Sequence, residues 1–188
     1  GKGMNVSVAL QRAGQTVVHI GAVGSDDAQV ADALASFEID TSHIAKSDHP
    51  TGTAYVFVDP SGENAIVVCP GANTTLTKNH IARALGTGSA GDWLALQNET
   101  NAQAEAAVLA KEKGMHVAYM AAPFDAENIV ALLGMIDLLA LNETEAAQLE
   151  AFAGKPVQDL GVETVLVTLG SKGAKLLSSP HYCAPEGD

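Results

Sequence analysis

Four short runs carry residues whose types and spacing could do chemistry. Gly1-Lys2-Gly3-Met4-Asn5 sets a cation and an amide among glycines that let a ligand approach the backbone closely. Lys2 donates and Asn5 both donates and accepts, a pair suited to several hydroxyls of one polyol. The same letters also describe an ordinary glycine turn opening the helix that follows. Asn142 and Glu145 lie three residues apart, hence on one face of a first helical turn. A carboxylate there can hold Mg2+ through water while the amide meets phosphate oxygens. The same Asn-x-x-Glu spacing is also a helix-capping box, which needs no ligand. Thr168-Leu169-Gly170-Ser171-Lys172-Gly173 follows the apolar run Val165-Leu166-Val167. Gly170 and Gly173 free backbone N–H groups to face phosphate and Thr168 adds a hydroxyl; a tight hairpin would use the same glycines. The fourth run, Gln97-Asn98-Glu99, ends in a carboxylate that on its own reads as a solvated loop acid.

The elements that must position these residues alternate. Met4–Ala13 has a helical stripe of Val6, Ala9, Leu10 and Ala13 ending at Gly14, Thr16–Val23 reads as a buried strand, and Asp27–Phe37 as a second helix. Thr53–Asp59 and Ala65–Cys69 form a hairpin pattern around Pro60-Ser61-Gly62-Glu63-Asn64. Leu76–Leu85 returns to helix with Thr77 as N-cap. From Asp92 the spacing predicts strand Trp93–Gln97, helix Asn101–Lys113, strand Val117–Met120, helix Asp125–Leu133, strand Leu138–Leu141, helix Glu143–Phe152, strand Thr164–Thr168 and a last strand from Ala174. Such alternation is the grammar of a parallel sheet covered by helices, which binds ligands at the carboxyl ends of its strands. Glu150 to Thr164 is short for a helical crossover, so an irregular unit or missing residues are expected near 155–161.

Composition narrows the function classes. A chain of 188 residues that is 47% hydrophobic can bury a sizeable core. Its net charge of -12, with no Lys/Arg cluster, argues against nucleic acid and anionic membranes as partners. Cys69 and Cys183 lack ligand spacing and read as buried or incidental thiols of a reducing cytoplasm. The histidines form no HExxH pair, and no apolar run approaches the ~20 residues that cross a bilayer. The expectation is a cytoplasmic protein without a protein-built metal cage. Gly86-Thr87-Gly88-Ser89-Ala90-Gly91 matches GxGxxG but precedes a strand instead of following one, so the dinucleotide context fails.

The order of the motifs resembles the ribokinase family of sugar kinases. Gly1-Lys2-Gly3-Met4-Asn5 before an Ala-rich helix is similar to that family's first signature, Asn142-x-x-Glu145 to its Asn-x-x-Glu motif, and Thr168-Leu169-Gly170-x-x-Gly173 to its nucleotide loop. Pro50-Thr51-Gly52-Thr53 and Pro70-Gly71-Ala72-Asn73 add to the likeness. The resemblance implies one ribokinase-like α/β domain over residues 1–188, incomplete at both ends. Its central, mostly parallel sheet would have helices on both faces, with a small β lid within about residues 50–70. It implies that Gly1, Lys2, Gly3, Asn5 and Glu99 hold a sugar, with the Glu99 carboxylate on a vicinal diol. Asn142 and Thr168, Leu169, Gly170, Ser171, Lys172 and Gly173 would hold ATP, and Glu145 would hold Mg2+ through water, with K+ a further candidate ion.

The implied reaction is ATP-dependent phosphorylation of a small sugar, D-ribose first, by a carbohydrate kinase, with a homodimer through the lid as the expected assembly. A nucleoside or other sugar kinase, or a non-catalytic sugar/nucleotide-binding protein of the same fold, is the alternative. Two departures stand out. The family's Gly-Ala-Gly-Asp run, whose Asp is the base, does not occur, and Pro185-Glu186-Gly187-Asp188 lacks its context, so no catalytic residue is assigned. Met120-Ala121-Ala122-Pro123 also stands where a polar Asn-Pro-Ala-Pro is usual, which bears on substrate choice.

Overall fold

The computed structural model describes residues 1–59, 61–62 and 64–178; Pro60, Glu63, Cys183 and Gly187-Asp188 lie outside these. The chain divides into two compact units. Unit 1 comprises residues 1–84 with 99–102, and unit 2 comprises 85–98 with 103–188.

Unit 1 begins with helix α1 (Lys2–Arg12). The expected apolar stripe is not its buried face, since Leu10 is 38% exposed and the buried residue is Ser7. The reason is polar: Ser7 Oγ meets His19 Nδ1 at 2.8 Å and docks the helix on the following segment. The strand expected over Thr16–Val23 is reduced to β1 (Gly21–Gly24), which pairs in parallel with β2 (Ile44–Ser47), plus one bridge from Val18 to Asp40. The ladder breaks because its partner chain turns between these points, where Ile44 N–H bonds to Thr41 O. Between the two strands lies α2 (Gln29–Ala35), whose Leu34 is fully buried. β2 itself carries no alternating pattern and was not anticipated.

The lid hairpin forms with each strand differing from its expected bounds by one residue at one end. β3 (Thr53–Val58) and β4 (Asn64–Cys69) pair antiparallel, Tyr55 facing Val67 and Val56 facing Ile66. The whole of β3 is exposed, with Tyr55 at 56% and Phe57 at 61%. Cys69 is an exposed thiol, so of the two readings, buried or incidental, the buried one falls away.

At the base of this ribbon the two Pro/Gly runs meet backbone to backbone. Ala72 N–H donates to Pro50 O at 2.8 Å, and Thr51 Oγ1 accepts from Gly24 N–H at 2.9 Å. A Cβ on Gly71, whose φ is 50°, would collide with Pro50 O; one on Gly52 would sit 2.7 Å from Pro70 O. Only glycine permits this approach. Helix α3 (Lys78–Leu85) follows, and Thr77 Oγ1 accepts from His80 N–H as the expected N-cap.

Unit 2 is a five-stranded sheet in sequential order: β5 (Trp93–Gln97), β6 (His116–Met120), β7 (Leu138–Asn142), β8 (Thr164–Thr168) and β9 (Ala174–Ser178). The first four strands are parallel and β9 returns antiparallel. The period-two pattern buries Val117, Tyr119, Leu139, Leu141, Val165 and Val167. α4 (Gln103–Glu112) packs on β5 and β6, α6 (Glu143–Ala153) packs on β7 and β8, and α5 (Ala126–Leu132) packs on α6. The connection from β7 to β8 is an ordinary parallel crossover. The expected irregularity near 155–161 resolves because α6 itself is the crossover helix, completed by a 3-10 turn over Val157–Asp159. No helix among the described residues is long and apolar enough to cross a membrane.

Gly71→Ala is expected to destabilise unit 1 by about 2 kcal/mol or more, because a left-handed φ and a backbone collision add. Denaturant unfolding checks this; a change below about 0.5 kcal/mol would contradict the close approach.

Candidate active site

In unit 1 the first residues of α1 meet Glu99. Gly1 is the N-cap residue and offers no side chain, so the orphan amide of Lys2 needs another acceptor. Glu99 supplies it: Lys2 N–H donates to Oε2 at 2.9 Å, and Lys2 Nζ donates to Oε1 at 3.3 Å. A Cβ on Gly1 would lie 3.3 Å from Oε2, so the glycine leaves room for the carboxylate. Asn5, one turn on, is exposed, and its N–H bonds to Gly1 O. Gly3 lies between them on the same first turn. Lys2 and Glu99 are thus brought together, with Asn5 one turn along α1.

What holds Glu99 there was not legible in the sequence. Asn101 exchanges two hydrogen bonds with the backbone of Leu76, accepting from its N–H at 3.1 Å and donating to its C=O at 2.8 Å. Its own N–H donates to Asn73 O at 3.1 Å. The side chain mimics a strand partner and pins residues 99–102 beside the Pro70-Gly71-Ala72-Asn73 run. An isolated Asn in a loop carries no signal for this.

In unit 2 the remaining candidates stand at the carboxyl ends of β7 and β8, where Asn142 and Thr168 are register partners. The capping box forms: Asn142 Oδ1 accepts from Glu145 N–H and Glu145 Oε2 accepts from Asn142 N–H, both at 2.8 Å. The box consumes one oxygen of each side chain. Glu145 Oε1 and the Asn142 amide nitrogen take no part in these bonds, so capping and ligand holding are compatible.

The Thr168–Gly173 run is also a hairpin turn, with Thr168 paired to Ala174. Leu169 N–H donates to Gly173 O, Lys172 N–H to Leu169 O and Gly173 N–H to Gly170 O. The amides of Gly170 and Ser171 are left outside these bonds, and Gly170 and Gly173 have positive φ of 58° and 91°. Lys172 ends the 3-10 turn beside them.

No group of three or more His, Cys, Asp or Glu suited to a metal ion occurs among the described residues. A single carboxylate with one free oxygen matches an ion that keeps most of its water. Asn98, next to Glu99 in sequence, is held in unit 2, donating to Pro123 O at 3.0 Å, and its N–H donates to Ala122 O. The Met120–Pro123 run therefore serves as a backbone anchor at the end of β6.

The sequence profile described as pfkB family carbohydrate kinase matches residues 1–186. The chain belongs to the pfkB family of carbohydrate kinases. It is 36% identical to a ribokinase of Haemophilus influenzae over 92% of this chain and 61% of that protein, and 34% identical to a ribokinase of Staphylococcus aureus over 92% and 62%. The chain thus spans about three-fifths of these relatives. Among solved structures it is similar to a ribokinase of Cryptococcus neoformans in complex with ADP (TM-score 0.80, 25% identity, 96% of this chain and 64% of that one). It is also similar to an Arabidopsis thaliana ribokinase complexed with ribose and ATP (TM-score 0.77, 26% identity, 97% and 64%). These likenesses support the ribokinase-like α/β fold expected from the motif order.

Proposed function

We propose that the protein is an ATP-dependent kinase of a small sugar, with D-ribose the preferred substrate and the 5-hydroxyl the acceptor. The observation that carries this reading is the Glu99 carboxylate held against Lys2 at the start of α1. Glu99 accepts from two vicinal hydroxyls, and Lys2 and the Asn5 amide donate to and accept from the others. The bonds that hold Glu99 without sugar are weak enough to exchange, since an exposed ion pair contributes about 0.2–1 kcal/mol.

On the nucleotide side, the free amides of Gly170 and Ser171 hold phosphate oxygens, joined by the Thr168 hydroxyl once it exchanges its long 3.4 Å bond to Leu141 O, with Lys172 adding charge nearby. Asn142 orients the phosphates and Glu145 holds Mg2+ through water. When bound, Mg2+ neutralises the developing charge on the phosphoryl oxygens. The remaining work is positioning, which rigid strand ends and a capped helix supply. No residue among those described is assigned as the base that takes the hydroxyl proton. The two similar structures, one complexed with ribose and ATP and one with ADP, support both ligands.

ADP release from ATP and Mg2+ by the protein is expected to require D-ribose. Glu99→Gln keeps an acceptor for the Lys2 amide but loses the charge; it should raise KM for ribose about 10- to 100-fold and leave KM for ATP unchanged. Glu145→Gln should do the reverse. Ribose binding without ADP release would instead mark a non-catalytic binding protein, and neither would sink the reading.

We also propose that the lid ribbon pairs with a second copy of the chain, because aromatic and β-branched side chains of β3 and β4 stand exposed. The protein is expected to sediment as a dimer and Phe57→Lys as a monomer. A monomeric parent would overturn this.

A further inference from the structure

The described residues of unit 1 also contain a cavity that the sugar-holding residues do not line. Its volume is about 760 Å3, and its walls are the end of β2 with the residues after it and the start of α3. Four side chains on it are cationic or can become so: Lys46, His49, His80 and Arg83. One carboxylate, Asp48, shares the lining.

In a chain of net charge -12, cations usually meet carboxylates. Here neither Lys46 nor Arg83 forms a direct ion pair among the described residues, although the Asp27 carboxyl, held low first by its Thr51 hydrogen bond, also feels the Lys46 charge. Lys46 Nζ donates to a main-chain oxygen, Asp27 O, at 2.7 Å. Arg83 is held by a buried group: its Nη2 lies 3.3 Å from His80 Nδ1, and His80 Nε2 lies 2.9 Å from His43 O. His80 is 9% exposed. Because the arginine cannot accept and the carbonyl cannot donate, the imidazole is the neutral Nε2–H tautomer, with Nδ1 accepting from Arg83.

The guanidinium is therefore anchored through one of its five N–H donors, and the others remain for a planar oxyanion. A lysine adds a point charge, and the Asn79 amide and Ser47 hydroxyl add neutral donors on the same lining. Such a set disfavours an apolar or cationic occupant.

We propose that this cavity is a second ligand site, one that binds a small organic anion bearing carboxylate or phosphoryl groups, with Arg83 and Lys46 as its charged contacts. It stands independently of the kinase reading, since no sugar- or nucleotide-holding residue lines it. The His80 bond makes Arg83 a fixed receptor, and Lys46 closes the charge balance from β2.

Calorimetric titration of the protein with citrate, and separately with 3-phosphoglycerate, tests the site. At least one probe is expected to bind, and binding should weaken with added salt. Arg83→Gln and Lys46→Gln should each weaken it about tenfold or more, with Tm retained, whereas Glu99→Gln should bind as the parent does. Binding of citrate shows that carboxylates suffice, whereas binding of 3-phosphoglycerate alone assigns the preference to the phosphoryl group that citrate lacks. Lys46→Gln breaks no buried contact, so it decides the matter if Arg83→Gln fails to fold. Absence of binding by both probes, or parental affinity in either folded cavity variant, would overturn the proposal.

Discussion

One carboxylate organises unit 1. Glu99 lies 97 residues from Lys2 in sequence, yet it caps the start of α1. The need comes from elementary helix chemistry: a first turn has amides without partners, and Gly1 has no side chain to offer. A negative group at a helix start is also favoured by the helix dipole, by about 0.3–1 kcal/mol. The interaction is therefore strong enough to set geometry and weak enough to yield to hydroxyls. Glu99 stays in place through Asn101 on Leu76 and Asn73, and through the glycines that let the two lid-base runs touch. The lid base and the start of α1 are thus parts of one hydrogen-bonded unit.

Unit 2 solves its own problem with the same economy. Parallel strands end at one edge, so Asn142 and Thr168 become neighbours by register alone. The Asn-x-x-Glu spacing raised two readings, a capping box and a ligand site. The structure forms the box, and the box uses half of the polar atoms. Fixing a helix start and offering oxygens to a cation are compatible tasks for one pair of side chains. The Thr168–Gly173 turn behaves likewise, closing a hairpin while leaving two amides outside its own bonds.

The alternating unit was legible because its signals are local. Strand runs such as Trp93–Gln97 and Thr164–Thr168 have the bounds that their patterns predict. Asn142 caps its helix through the box that its spacing with Glu145 allows. What failed depended on partners distant in sequence. The Thr16–Val23 pattern is continuous, but its partner turns away at Thr41–Ile44, and a strand cannot outlast its ladder. The stripe on α1 was sound periodicity, yet a Ser7–His19 hydrogen bond chose the docked face. The grouping of Lys2 with Glu99 came from family likeness, because no property of a lone loop glutamate predicts a cap so far away.

The central claim is that Glu99 and the Gly1–Asn5 loop form a single sugar-holding element. An amide-resolved NMR titration of the protein with D-ribose tests it most directly. The account predicts saturable shifts at the amides of Lys2, Gly3, Asn5 and Glu99, with Gly170 and Ser171 unmoved until ATP and Mg2+ are added. Ribose shifts confined to other residues, or loop shifts that persist at the same affinity in Glu99→Gln, would contradict it.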